Sequence, residues 1–175
     1  MEKKFIMTAF SKDRPGIVAD VTEVIYENGC NLEDSTMTSM LDEFAIILLF
    51  LGKGDSLKDQ LLRDCRRLER EKGITAFIRS VEAEDKEKQI KIVSKTINVE
   101  GIDQTGIVFK ISRYLANNNI NIENLTSRRV TSPESGTALY FMEMKVQVPE
   151  KISLEHLEKG LSQVGEELNL DITVH

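Results

Sequence analysis

Two short stretches place an aspartate three residues ahead of a glycine, just before an apolar-periodic run: Asp13-Arg14-Pro15-Gly16-Ile17 and Asp103-Gln104-Thr105-Gly106-Ile107. A glycine at the start of a helix lets a ligand approach the backbone, and the free amides of a first helical turn favour a carboxylate. An aspartate that opens the turn can accept hydrogen bonds from an ammonium group. Together these demands describe the zwitterion of an α-amino acid. Asn31 and Asn121 open the segment after each run and are expected to add amide donors and acceptors at the same end of the fold. The same residue types also have ordinary duties: Asp caps helices, Gly forms turns and Asn follows Gly in loops. Repetition of the whole arrangement is what favours a ligand.

The repeat extends well beyond the turns. At a constant offset of 90 residues, Val18 matches Val108, Asn28 matches Asn118 and Glu33 matches Glu123. The register then slips where the second copy carries the extra RRVTSPESG, and it resumes with SLKDQLL facing SLEHLEK and GITAFI facing NLDITV. Residues 1–85 and 86–175 therefore read as two domains, with the charged segment EAEDKEKQ (82–89) as linker.

Each unit reads as strand, helix, strand, strand, helix, strand. KKFIMTAF has the β-formers of a strand. After Pro15, placed in the first helical turn, Ile17, Val21, Val24 and Ile25 recur at helical spacing, and Asn28-Gly29 ends the run. Asn117-Asn118-Asn119 does the same in the second copy. NLEDSTMTSM is polar enough for an edge strand, whereas AIILLFL is apolar on both faces and is expected at the sheet centre. Leu57, Leu61, Cys65 and Leu68 form a second helical stripe before TAFIRSVE closes the sheet. This order predicts an α+β protein of two tandem ferredoxin-like βαββαβ domains, each an antiparallel sheet with its helices on one face. An edge strand leaves backbone groups unpaired, so the edge of one unit is expected to pair with that of the other or with a second chain, as in a homodimer.

Composition excludes several classes. A net charge of −6 does not suit phosphate neutralisation, so direct nucleic-acid binding is not expected. The arginines at 63, 66, 67 and 70 lie on one predicted helix but are interleaved with Asp59 and Glu71 at four-residue spacing, which suits a self-paired solvated face. No apolar run approaches the roughly 20 residues that span a bilayer, and the N-terminus lacks a secretory h-region, so the expected compartment is the cytoplasm. Cys30 and Cys65 are expected to pack, not to bind metal, and His156 is expected to face solvent. His175 stands at the terminus without a nucleophile or ligand partner, and no GxGxxG, P-loop or GxSxG occurs. No enzyme activity, cofactor or metal is therefore expected. Met37, Met40, Met142 and Met144 are expected between sheet faces or at an interface, and RRVTSPESG as an exposed, mobile hairpin tip.

DRPGIVADVTEVIYENGCNLEDSTMT resembles the opening of an ACT domain, a small amino-acid-sensing regulatory module, and DQTGIVFKISRYLANNNINIENLTS resembles a second. The resemblance covers essentially the whole chain. Two such domains without a catalytic domain are similar to the glycine cleavage system transcriptional repressor family. That resemblance implies a cytosolic regulator without a DNA-binding domain, acting on a partner transcription factor in response to glycine or a similar amino acid. The alternative is a regulatory subunit that tunes a metabolic enzyme. The expected ligand-binding residues are Asp13, Arg14, Pro15, Gly16, Ile17 and Asn31, with Asp103, Gly106, Ile107 and Asn121 in the second copy. DQTG departs from DRPG, and Thr105 in place of Pro15 loosens the second turn, so the first is expected to bind better.

Overall fold

The computed structural model describes residues 2–81 and 91–175. The chain divides into two compact units, Met1–Asp85 and Lys86–His175. The segment read as a linker, 82–89, lies outside the described residues.

Unit one runs β1 (Glu2–Lys12), α1 (Ile17–Glu27), β2 (Asn31–Met40), β3 (Glu43–Lys53), α2 (Leu57–Lys72) and β4 (Thr75–Val81). Its antiparallel sheet has the order β2-β3-β1-β4. Unit two runs β5 (Ile92–Ile102), α3 (Ile107–Asn117), β6 (Asn121–Thr131), β7 (Ala138–Pro149), α4 (Leu154–Leu168) and β8 (Leu170–Val174), with the order β6-β7-β5-β8. This is the expected ferredoxin-like fold, written twice.

Each core forms between one sheet face and two helices. Phe5, Met7 and Ala9 of β1 and Phe44, Ile46, Leu48 and Phe50 of β3 alternate onto that face and are buried. The stripe Ile17, Val21, Val24 and Ile25 of α1 meets them, as does Leu57, Leu61, Cys65 and Leu68 of α2. Each fully buried Phe or Leu contributes about 1.5–3 kcal/mol. β3 is central, as its apolar run implied, but only alternate residues enter the core. Ala45, Ile47, Leu49 and Leu51 lie on the face away from the helices, and none is fully buried.

Helix stops fall where left-handed backbone is supplied: Gly29 has φ 63° and Asn119 has φ 55°. In both units the amide of the preceding asparagine donates back into the last helical turn, Asn28 to the Val24 carbonyl and Asn118 to the Tyr114 carbonyl.

Several expectations need correction. β1 continues through Ser11 and Lys12, which pair with Phe44 and Glu43, because the β2–β3 hairpin extends the ladder past the apolar run. Pro15 precedes the cap residue Gly16 and lies outside α1. Met142 and Met144 are core residues, whereas Met37 and Met40 are exposed by 55% and 74%, since β2 runs beyond the helices' cover. The RRVT of RRVTSPESG belongs to β6, with its two arginines opposite Phe141 and Tyr140, and only the SPESG that follows forms the tip.

Candidate functional site

The two D-x-x-G turns have the same backbone. β1 ends at Lys12, and the Asp13 amide donates to the Asp42 carbonyl on the β2–β3 hairpin at 2.7 Å. The Asp103 amide likewise donates to the Ala138 carbonyl at 2.9 Å. Gly16 at φ 87° and Gly106 at φ 92° are the cap residues of α1 and α3, and their carbonyls accept from Asp20 and Lys110 at 2.9 Å. A Cβ on Gly16 would come no nearer than 3.9 Å to the Arg14 guanidinium, and one on Gly106 would meet nothing within 4 Å. Left-handed backbone therefore requires both glycines, and the space above them is open.

Neither α1 nor α3 has a side-chain cap, and apart from the Ile17 amide, which donates to the Arg14 carbonyl at 3.4 Å, their first-turn amides remain available to an anion, whereas Ser153 caps α4 by accepting from the His156 amide. α2 also begins without a side-chain cap, so open amides permit a carboxylate without singling these turns out.

Side chains separate the turns. In unit one Asp13 is exposed and makes no ion pair among the described residues. Arg14 instead reaches Asp20 at 2.6 Å, and Asp20 also receives Lys72 from the end of α2 at 3.2 Å. Hydrogen bonds from Arg14 first and Lys72 second hold the Asp20 carboxyl below its ordinary range. Arg14 thus braces the turn. In unit two the brace has opposite polarity: Lys110 of α3 meets Glu167 of α4 at 3.2 Å, and Gln104 donates to the Leu168 carbonyl. Asp103 is taken by Arg129, whose Nε lies 2.7 Å from its carboxylate. No sequence signal marked Arg129, because its pair arose from the strand extension read as a loop tip.

Other expected ligand residues sit elsewhere. Ile17 and Ile107 are 3% and 2% exposed and anchor their helices in the cores, so only their backbone can face a ligand. Asn31 and Asn121 are at the far end of each sheet. Asn31 lies opposite Leu51, which lies opposite Lys4 near the start of β1, while Asp13 follows the end of that strand. The eight steps from Lys4 to Lys12 span about 26 Å. The reason is topological: α1 carries the chain back across the sheet before β2 begins. Asn121 lies opposite Gln147, and its amide donates to that side chain at 3.4 Å. Within one unit neither asparagine can share a ligand with its turn.

The main concavities of the described surface also avoid the turns. One of about 960 Å³ lies by Lys3, Leu51, Lys58 and Ser80, and one of about 660 Å³ lies over Asn98, Glu100, Phe141, Glu143 and Asp171. The D-x-x-G turn is an open ledge, and a ligand held there needs a second wall.

Cysteine chemistry is muted: burial, then Asp64, pushes the Cys65 thiol up to about 11, and burial raises Cys30 too. The arginine stripe is partly paired along its own helix, as expected, but through other partners than the four-residue spacing gave, and it also reaches α1. Arg67 meets Glu27 of α1 at 2.7 Å and Asp64 at 3.2 Å, and Arg70 meets Glu71 at 2.9 Å. His156 is exposed on α4, as expected.

Comparison with known proteins agrees with this picture. The ACT domain family matches residues 3–79, and again residues 95–159. The glycine cleavage system transcriptional repressor of Escherichia coli K12 is 23% identical over 165 residues, 94% of this chain and 85% of its own. A UPF0237 protein of Methanopyrus kandleri is 31% identical over 74 residues, 42% of this chain and 82% of its own. The crystal structure of an unknown protein from Galdieria sulphuraria superposes with a TM-score of 0.81 at 25% identity, covering 100% of this chain and 98% of that one. With the fold and its helix-opening turn each present twice, the chain belongs to the ACT domain family and is a regulatory protein of two tandem ACT domains.

Proposed function

We propose that this regulator senses a small amino acid, glycine or one of similar size, and acts through a partner protein in the cytoplasm, without catalysis. The observation that carries the reading is the Asp13 carboxylate, free of any ion pair among the described residues, beside the uncapped start of α1. Asp13 takes the ammonium and the first amides of α1 take the carboxylate. A role in transcriptional repression is supported by the likeness to the E. coli glycine cleavage system transcriptional repressor, and glycine as the signal with a transcription factor as the partner is the form of that role that we propose. A second copy of the chain in a homodimer would supply the missing wall of the open turn.

The test is a melting experiment with each of the twenty free amino acids. At about 100 times Kd, one site stabilises the fold by roughly 2.7 kcal/mol, a rise of several degrees. Asp13→Asn, which breaks no ion pair, is expected to remove most of that rise while leaving the ligand-free melt unchanged. The reading fails if no amino acid moves the wild type or if the variant responds like the parent. A pull-down that returns an enzyme in place of a DNA-binding protein would make the chain a regulatory subunit instead. Duplex DNA should not shift with the protein alone, given its net charge of −6.

A further inference from the structure

The helix-free faces of the two sheets have the same register and opposite chemistry. In unit one the middle row across the sheet reads Thr36, Ile47, Thr8, Phe77, and the next reads Thr38, Ala45, Phe10, Thr75. Ile47, Phe77 and Phe10 are 46%, 62% and 45% exposed, and the Phe10 and Phe77 rings lie 6.0 Å apart. In unit two the matching rows read Thr126, Glu143, Asn98, Thr173 and then Arg128, Phe141, Glu100, Asp171. The same fold thus sets charged residues on this face in one copy and exposed Phe and Ile among threonines in the other, so the fold does not require the apolar side chains. A contiguous exposed apolar patch marks an interaction surface.

A third row of unit one identifies the occupant. It reads Asp34, Leu49, Ile6, Arg79, with an acid on the outer strand β2, a base on the opposite outer strand β4, and two apolar residues between. Neither Asp34 nor Arg79 makes an ion pair among the described residues, although cations and anions nearby do, such as Lys4 with Glu33 at 2.8 Å. A two-fold axis parallel to the strands, lying between two stacked copies of this face, exchanges the outer strands. It brings Asp34 of one copy opposite Arg79 of the other, twice, at one height along the strands. Such an axis also keeps the strands of both sheets within the roughly 30° of aligned sheet packing.

We propose that the helix-free face of unit one is a self-complementary dimer surface, on which a second copy of this chain stacks sheet to sheet. Phe10, Phe77, Ile47 and Leu49 supply the dry centre, and the two Asp34–Arg79 pairs set the orientation. The polar face of unit two takes no part. A single four-stranded face is small for a stable interface, so the dimer is expected to form in the micromolar range.

Sedimentation velocity on the full chain from about 5 to 200 µM tests this. The wild type should pass from monomer to dimer. Arg79→Asp alone, or Asp34→Arg alone, should weaken dimerisation by about tenfold or more through like-charge contact, and the charge-swapped double variant should restore it to within about threefold. Phe77→Thr, which installs the unit-two residue type, should also weaken it. All these side chains are exposed, and circular-dichroism melts matching the wild type confirm that each variant folds. The inference is overturned by a wild type that stays monomeric over the range, by an Arg79→Asp protein that dimerises like the parent, as edge-strand pairing would give, or by a double variant no better than the singles.

Discussion

Asp13 and Asp103 occupy the same turn of the same fold with different surroundings. In unit one the carboxylate is free of ion pairs among the described residues and the helix-free sheet face is apolar; in unit two Arg129 holds the carboxylate and the face carries Glu100, Glu143 and Asp171. What the copies share is backbone: left-handed glycines at both helix starts, left-handed stops after α1 and α3, and one register in both sheets. What differs is the set of side chains around the turn and on the helix-free sheet face. Duplication thus preserved what the fold requires and left the side chains of the two copies to serve different contacts.

The largest effect expected from exchanging these differences is on association. Placing the unit-two residue types on unit one, Ile47→Glu with Phe77→Thr, should abolish self-association across the micromolar range while leaving the melting temperature of the dilute monomer close to that of the wild type, because both positions are exposed. Sedimentation beside a melting curve checks both halves of the statement.

Backbone changes come next, and they should treat the copies alike. Gly16→Ala and Gly106→Ala each place a Cβ on left-handed backbone, which costs roughly 1–2 kcal/mol, or about 2–8 °C in a chain of this size. Equal melting losses would show that the turns share one backbone requirement, and a loss confined to one would break that parallel.

A smaller effect separates the turns as ligand sites. Arg129→Gln frees the Asp103 carboxylate at the cost of one exposed pair, worth about 0–1 kcal/mol. Calorimetry with the amino acid that binds the wild type should then show the second turn gaining affinity by no more than about fivefold. An unchanged titration would mean that Thr105, not Arg129, limits that turn.

The smallest effect concerns the brace behind Asp13. The Asp20 carboxyl is held below its ordinary value of 3.8 in the folded chain, so its contribution is fully present above that value and is lost as pH falls through the folded value. Asp20→Asn should therefore lower the melting temperature slightly at about pH 7 and leave it unchanged at about pH 2. A gap that persists in acid would show that the asparagine acts by something other than charge.

Periodicity and repetition in the sequence were enough to read the βαββαβ order twice, the helix stripes Ile17-Val21-Val24-Ile25 and Leu57-Leu61-Cys65-Leu68, the central place of β3 and the stops at Gly29 and Asn119. These are local properties: the burial period of a helix, the φ that glycine and asparagine tolerate, and the apolar content that a central strand needs. Three matters depended on the tertiary structure. Asn31 and Asn121 lie about 26 Å from the turns they were expected to serve, because distance in a folded chain depends on which way the intervening helix runs. Arg129 reaches Asp103 because β6 pairs through Thr131, and strand length is decided by the partner strand. Asp34 and Arg79, 45 residues apart in the chain, share one row because register across three pairings places them there, and no spacing along the sequence encodes a relation made across a sheet.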